Sequence, residues 1–124
     1  MKKLTRKEEE IMQILWRLEK AFVKDILAEL PEPQPHYNTV SSLVRLLEEK
    51  GFVGFKAYGK THEYFPLVNK EDYRRQFMGR VVQDYFANSY KSVISMFARE
   101  EKISKEDLME IMRMIESESG ETDA

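Results

Sequence analysis

The stretch Asn38-Thr39-Val40-Ser41-Ser42-Leu43-Val44-Arg45-Leu46-Leu47-Glu48-Glu49-Lys50-Gly51 decides how this chain folds. Val40, Leu43, Val44 and Leu47 recur at the spacing of a helix with one apolar face. Asn38 is placed to cap that helix, and Gly51 to end it just past the last periodic residue. If the four apolar side chains point inward, helical geometry turns Asn38, Ser41, Ser42, Arg45 and Glu48 toward solvent.

Downstream of Gly51 the pattern becomes extended. Residues 52–57 and 61–65 read as strands joined across Tyr58-Gly59-Lys60, with Pro66 ending the second, which predicts a β-hairpin. Upstream, residues 5–18 read as a helix opened by a capping box of Thr5 and Glu8, with Ile11, Ile14, Leu15 and Leu18 in register. Val23, Ile26, Leu27 and Leu30 imply a shorter helix, stopped by Pro31, Pro33 and Pro35. Three short helices followed by a hairpin are the parts of a winged helix-turn-helix domain, the hairpin being the wing. The expected fold class is mainly α with a small β-hairpin.

Beyond the wing, Asn69 and Asp72 open another helix, in which Tyr73, Phe77, Val81 and Tyr85 form one stripe and Met78, Val82 and Phe86 widen it. Tyr90, Val93, Ile94 and Phe97 mark a further helix, and Leu108, Ile111, Met112 and Ile115 mark a last one starting at Ser104. The first half holds enough apolar residues to fill its own small core, so these wide faces call for a two-fold copy of the chain. The expected division is a winged-helix domain over residues 1–68, a helical dimerisation region over 69–116 and a disordered acidic tail over 117–124.

Composition narrows the function. The chain has 124 residues, no cysteine and two histidines, which excludes disulfides, thiolate metal sites and iron-sulfur centres. His36 and His62 lie apart with no nucleophile motif beside either, and no glycine-rich phosphate loop occurs, so neither an enzyme nor a cofactor or metal is expected. No apolar run is long enough to enter a membrane, and cytoplasmic residence is the default. Residues 1–67 carry 11 basic and 10 acidic side chains, whereas residues 68–124 carry 9 and 12. Attraction to nucleic acid must therefore come from local clustering in the first half.

The outward face of the helix from Asn38 is the candidate reader of double-stranded DNA. Small polar side chains near a helix N-terminus allow close approach to the major groove, and Arg45 reaches a guanine or a phosphate one turn later. Tyr37, Asn38, Thr39, Ser41, Ser42 and Arg45 are the expected contacts there. Lys56, Tyr58, Lys60 and Thr61 are expected contacts in the wing, where His62 too is placed to touch phosphates or the minor groove and Gly59 permits a close turn. Lys2, Lys3, Arg6 and Lys7 form a further basic cluster. Two other readings use the same parts: a winged helix that docks a protein through the Ser41-Ser42-Arg45 face, or a repressor that senses a ligand among the aromatic helices, with Tyr73, Phe77, Tyr85, Phe86, Tyr90 and Phe97 as lining.

At Ile14-Leu15-Trp16, at Thr39-Val40-Ser41-Ser42-Leu43-Val44, at Leu47-Glu48-Glu49-Lys50-Gly51 and at Tyr64-Phe65-Pro66-Leu67-Val68, the chain resembles the penicillinase and methicillin-resistance repressors of the BlaI/MecI type. The resemblance covers nearly the whole chain. It implies a homodimeric repressor of operator DNA with C-terminal dimerisation helices. In the β-lactam-responsive members it further implies derepression when a membrane sensor triggers cleavage at an Asn-Phe bond. Met96-Phe97 occupies the matching place here, with Met96 where the asparagine would stand. Arg45 lies one residue before the position at which these repressors often carry arginine, a rotation of about 100° around the helix. The cysteine-rich sites of the copper-responsive branch have no counterpart.

Overall fold

In a computed structural model the chain is described over residues 1–123, with side chains through residue 118. It divides into two compact units, residues 1–76 and 77–124. The first contains α1 (Arg6–Leu18), β1 (Ala21–Phe22), α2 (Val23–Glu29), α3 (Tyr37–Glu49), β2 (Val53–Tyr58) and β3 (Thr61–Pro66). The helix α4 (Lys70–Phe86) gives its first turns to this unit.

Local chemistry explains most boundaries. Thr5 caps α1 with a reciprocal box: the Glu8 N–H donates to Thr5 Oγ1 at 3.2 Å, and the Thr5 N–H donates to Glu8 Oε1 at 2.8 Å. At the end of α2, the Gln34 side-chain amide donates to the Leu27 and Leu30 carbonyls at 3.0 and 3.3 Å, so the connector satisfies orphan acceptors. α3 closes as a Schellman motif, with Gly51 at φ 82° and the Phe52 N–H donating to the Leu47 carbonyl at 2.9 Å. One expectation is corrected at the other end of α3. The N-cap is His36, and Asn38 lies inside the first turn. The extended backbone of His36 already offers its carbonyl to the Thr39 and Val40 N–H groups, which leaves Asn38 no capping role.

The sheet is three-stranded, in the order β1-β3-β2 and antiparallel throughout. The two-residue β1, which the sequence pattern does not predict, pairs Ala21 with Tyr64 and Phe22 with Glu63. Two residues carry no periodicity to read, and only pairing defines them as a strand. Val40, Val44 and Leu47 of α3 are fully buried against Ile11, Met12 and Leu15 of α1, Ile26 of α2, and Phe52 and Val53. Truncating Leu47 to alanine would cost about 2–5 kcal/mol, read as a lower midpoint in denaturant.

Tyr73 belongs to this core as well, which corrects its placement on a dimerisation face and moves the unit boundary from 68 to 76. Its ring packs at 5.6 Å from Trp16 and 5.9 Å from Phe52, and its hydroxyl donates to Glu9 Oε1 at 2.7 Å. Trp16 Nε1 donates to the Val68 carbonyl at 2.9 Å, tying the segment after the wing to α1. The periodic spacing of Tyr73 with Phe77 concealed that the two residues fall in different units.

The second unit holds the rest of α4, then α5 (Tyr90–Arg99) and α6 (Lys105–Asp123). Ser89 caps α5 and Ser104 forms a capping box with Asp107 at α6. α6 continues through the segment expected to be a disordered tail as far as Asp123, since adding residues to a helix already nucleated upstream costs less than starting one; Ala124 lies outside the described residues. Val82 is the one buried side chain described within residues 77–118.

Glu8 holds the first unit together from inside. It is 1% exposed, and its Oε1 also accepts from Lys50 Nζ at 2.7 Å, beyond the last turn of α3. Burial alone would raise its carboxyl, but the Lys50 and Thr5 hydrogen bonds and the Lys50 charge together hold it below its ordinary value of 4.5. Replacing Lys50 with methionine leaves that carboxylate uncompensated and is expected to cost about 3 kcal/mol in a denaturant titration. A carboxyl lowered on folding contributes stability that is present above 4.5 and lost as pH falls through its lower folded value. The stability gap between wild type and Glu8→Gln should therefore narrow in acid, and a gap constant with pH would contradict this role for Glu8.

Candidate nucleic-acid interface

Between α3 and the sheet lies an open groove of about 490 Å³. The first turns of α3 supply Tyr37, Asn38, Ser41 and Arg45; the hairpin supplies Lys60, Thr61, His62 and Tyr64; β1 and α2 supply Phe22, Val23 and Lys24. Val40, Val44 and Leu47 point the opposite way into the core, so the helical repeat directs the polar side chains into the groove. The groove lining contains three cations, Lys24, Arg45 and Lys60, and no carboxylate. Among the described residues none of these three is paired with an acid.

The N-terminus of α3 opens onto the same space. The first intrahelical acceptor is the His36 carbonyl, which takes bonds from Thr39 and Val40 at 3.0 and 3.2 Å. The Tyr37 and Asn38 N–H groups precede those bonds and carry the positive end of the helix dipole.

The wing is shaped by stacking and by its turn. Gly59 adopts φ 63°, a backbone state that side chains resist, and the Thr61 hydroxyl donates to the Tyr58 carbonyl at 2.9 Å across the turn. His62 lies flat on Phe55, with ring centroids 4.1 Å apart and an 8° interplanar angle, and Tyr64 meets its edge at 6.1 Å. Burial pushes the Tyr64 phenol above its ordinary value of 10.0; the Glu48 charge adds to this, Arg45 opposes it and Tyr37 adds again.

Of the expected contacts, Tyr37, Asn38, Ser41, Arg45, Lys60 and Thr61 meet in the groove. Thr39 faces instead a smaller hollow of about 180 Å³, shared with Leu43, Lys7 and the prolines of the connector. Ser42 is exposed on a different side of α3. Lys56 stands 5.2 Å over the Tyr58 ring, which itself packs 5.8 Å from Phe22; neither Lys56 nor Tyr58 lines the groove. Lys24 and Tyr64 are groove residues that sequence reasoning misses. Lys24 reads as one more exposed helix lysine, and nothing in its local pattern distinguishes it. Among the described residues no cluster of histidine and acidic side chains is placed to hold a metal, and no helix is long and apolar enough to cross a membrane.

A helix buried on one side, a preceding helix, and a hairpin that walls a cationic groove define a winged helix-turn-helix protein. The chain belongs to the penicillinase repressor family, whose model matches residues 4–117. That is a family of transcriptional repressors and not of enzymes. The methicillin resistance regulatory protein MecI of Staphylococcus aureus (strain N315) is 24% identical over 110 residues, covering 87% of this chain and 89% of the relative. The solution structure of the DNA binding domain of the repressor BlaI shares the fold at TM-score 0.50 and 23% identity, covering 59% of this chain and 94% of that one. A complex structure of hsRosR shares it at TM-score 0.53 and 20% identity, over 82% and 92% of the two chains.

The setting of Tyr64 is open to spectroscopy. In an alkaline absorbance titration one phenol should ionise later than an ordinary tyrosine, and Tyr64→Phe should remove that late step. A phenol raised on folding contributes stability that is full below 10.0 and lost as pH climbs through its higher folded value. Identical titration curves for the two proteins would show that Tyr64 is not held in this environment.

Proposed function

We propose that the chain represses transcription by binding double-stranded operator DNA as a homodimer. The observation that carries this reading is the groove lined by Lys24, Arg45 and Lys60 with no carboxylate, in a chain whose net charge is −2. Three unpaired cations converge on one face of a protein that is otherwise slightly acidic, which is the local clustering that phosphate binding requires. In this reading Asn38 and Ser41 meet base edges in the major groove, Arg45 takes a guanine or a phosphate, and Lys24 and Lys60 hold the backbone on either side. Family membership supports the same conclusion.

Dimerisation rests on the second unit. Phe77, Tyr85, Ile94, Ile111, Met112 and Ile115 are exposed, while Val81, Val93, Phe97 and Leu108 are only half-buried. Helices with this much uncovered apolar surface associate, and a two-fold copy covers each stripe with its equivalent. Release of the operator is assigned to cleavage at Met96–Phe97 by a protease under a membrane sensor of the β-lactam type. Family membership supports this.

Arg45→Ala is expected to weaken operator binding by about 1–3 kcal/mol in gel shifts. Lys24→Ala and Lys60→Ala should each lower the steepness of the salt dependence by about 0.9 for every phosphate left without its cation. Unchanged binding in all three variants would move this face to a protein-docking role. In sedimentation at micromolar concentration the wild type should run as a dimer, and Ile94→Glu combined with Met112→Glu as a monomer. A monomeric wild type would end the dimer proposal.

A further inference from the structure

His62 is the one titratable side chain of the groove, the tyrosines and cations apart, to which operator binding as proposed assigns no role. It is half-buried, and its imidazole is held flat against Phe55 while one edge meets Tyr64. The charged and titratable groups that line the groove with it can be named by element. Lys24 comes from α2, Arg45 and Tyr37 from α3, Lys60 from the turn and Tyr64 from its own strand. β1 adds Phe22 to the lining, β2 places the ring of Phe55 flat against the imidazole, and the charged Lys56 of β2 lies over Tyr58 outside the lining. Glu48 acts on the neighbouring Tyr64 but does not line the groove.

Imidazole is the side chain whose charge ordinarily changes between about pH 5 and 8. It shares this groove with Lys24, Arg45 and Lys60, and no carboxylate belongs to the lining. A DNA phosphate drawn in by Lys24, Arg45 and Lys60 supplies the missing negative charge, and the face of Phe55 adds an attraction for a cation stacked on it. We propose that His62 is a proton-linked DNA contact: its ring takes up a proton from solvent when a backbone phosphate enters the groove, and returns it when the DNA leaves. Operator affinity then tightens as pH falls. This inference rests on the DNA-binding reading and adds a pH-sensing residue to it.

The test is fluorescence anisotropy at fixed salt with the full chain and a labelled duplex taken from the DNA upstream of its own gene, from about pH 5.5 to 8. Wild-type affinity should fall as pH rises, by up to about tenfold per pH unit for each bound subunit, the limit for one linked proton. His62→Gln should flatten the profile at the weak level. His62→Arg, which keeps a planar cation on Phe55, should flatten it at the tight level. A wild-type profile already flat, a His62→Gln profile unchanged from wild type, or flattening by His36→Gln instead would each overturn the proposal. Binding that is present but independent of pH overturns this inference alone, whereas absence of binding at every pH removes the DNA reading and this inference with it.

Discussion

The ion pair between Glu8 and Lys50 is the constraint on which the cationic groove depends. A single carboxylate oxygen, almost entirely removed from water, accepts both from the Thr5 N–H at the start of α1 and from the Lys50 ammonium just past the end of α3. Lys50 Nζ also reaches the Lys3 carbonyl at 3.3 Å. The pair therefore completes the capping box of the first helix, fixes the far end of α3 and fastens the basic N-terminal segment. Its second oxygen is buried without a hydrogen-bond partner among the described residues, so the carboxylate is sustained by the Lys50 charge and the Thr5 bonds. Such a pair adds little net stability over an apolar replacement, but it tolerates only one geometry.

That geometry matters because the charge of the chain supplies no general attraction for DNA. The useful field is made locally, by bringing Lys24 of α2, Arg45 of α3 and Lys60 of the hairpin onto one groove while acids such as Glu48, Glu49 and Glu63 remain outside its lining. A small tilt of α3 would change the spacing of these cations. The stacked Phe55–His62 pair and the Gly59 turn serve the same end in the wing, holding its tip and the imidazole at defined places.

The two units solve the burial problem differently. Residues 1–76 enclose a continuous core that runs from Leu4 to Tyr73, with Phe52, Leu47 and Val40 out of reach of water. Residues 77–118 form three helical stretches that bury little more than Val82. Helices of this kind draw their stability from tertiary packing more than from propensity. The side chains of Ile94, Met112 and Ile115 stay exposed in the single chain.

Much of this was legible in the residues themselves. The period of Val40, Val44 and Leu47, the Thr5–Glu8 box, the proline stop after Leu30, the Gly51 exit and the Gly59 turn are local signals, and each predicts its element because the physics behind it acts within a few residues of chain. The same periodicity put Asn38, Ser41 and Arg45 on one face. What the sequence could not determine was long-range. Asn38 yields the cap to His36, Tyr73 joins the core across from Trp16, two residues become β1 only because Tyr64 and Glu63 pair with them, and Lys56 lies over the Tyr58 ring instead of lining the groove. Lys24 becomes a groove residue solely because α2 packs beside α3. Helix and turn signals are written in neighbouring residues, whereas a charged groove depends on which distant side chains the core brings together, and only the tertiary structure decides that.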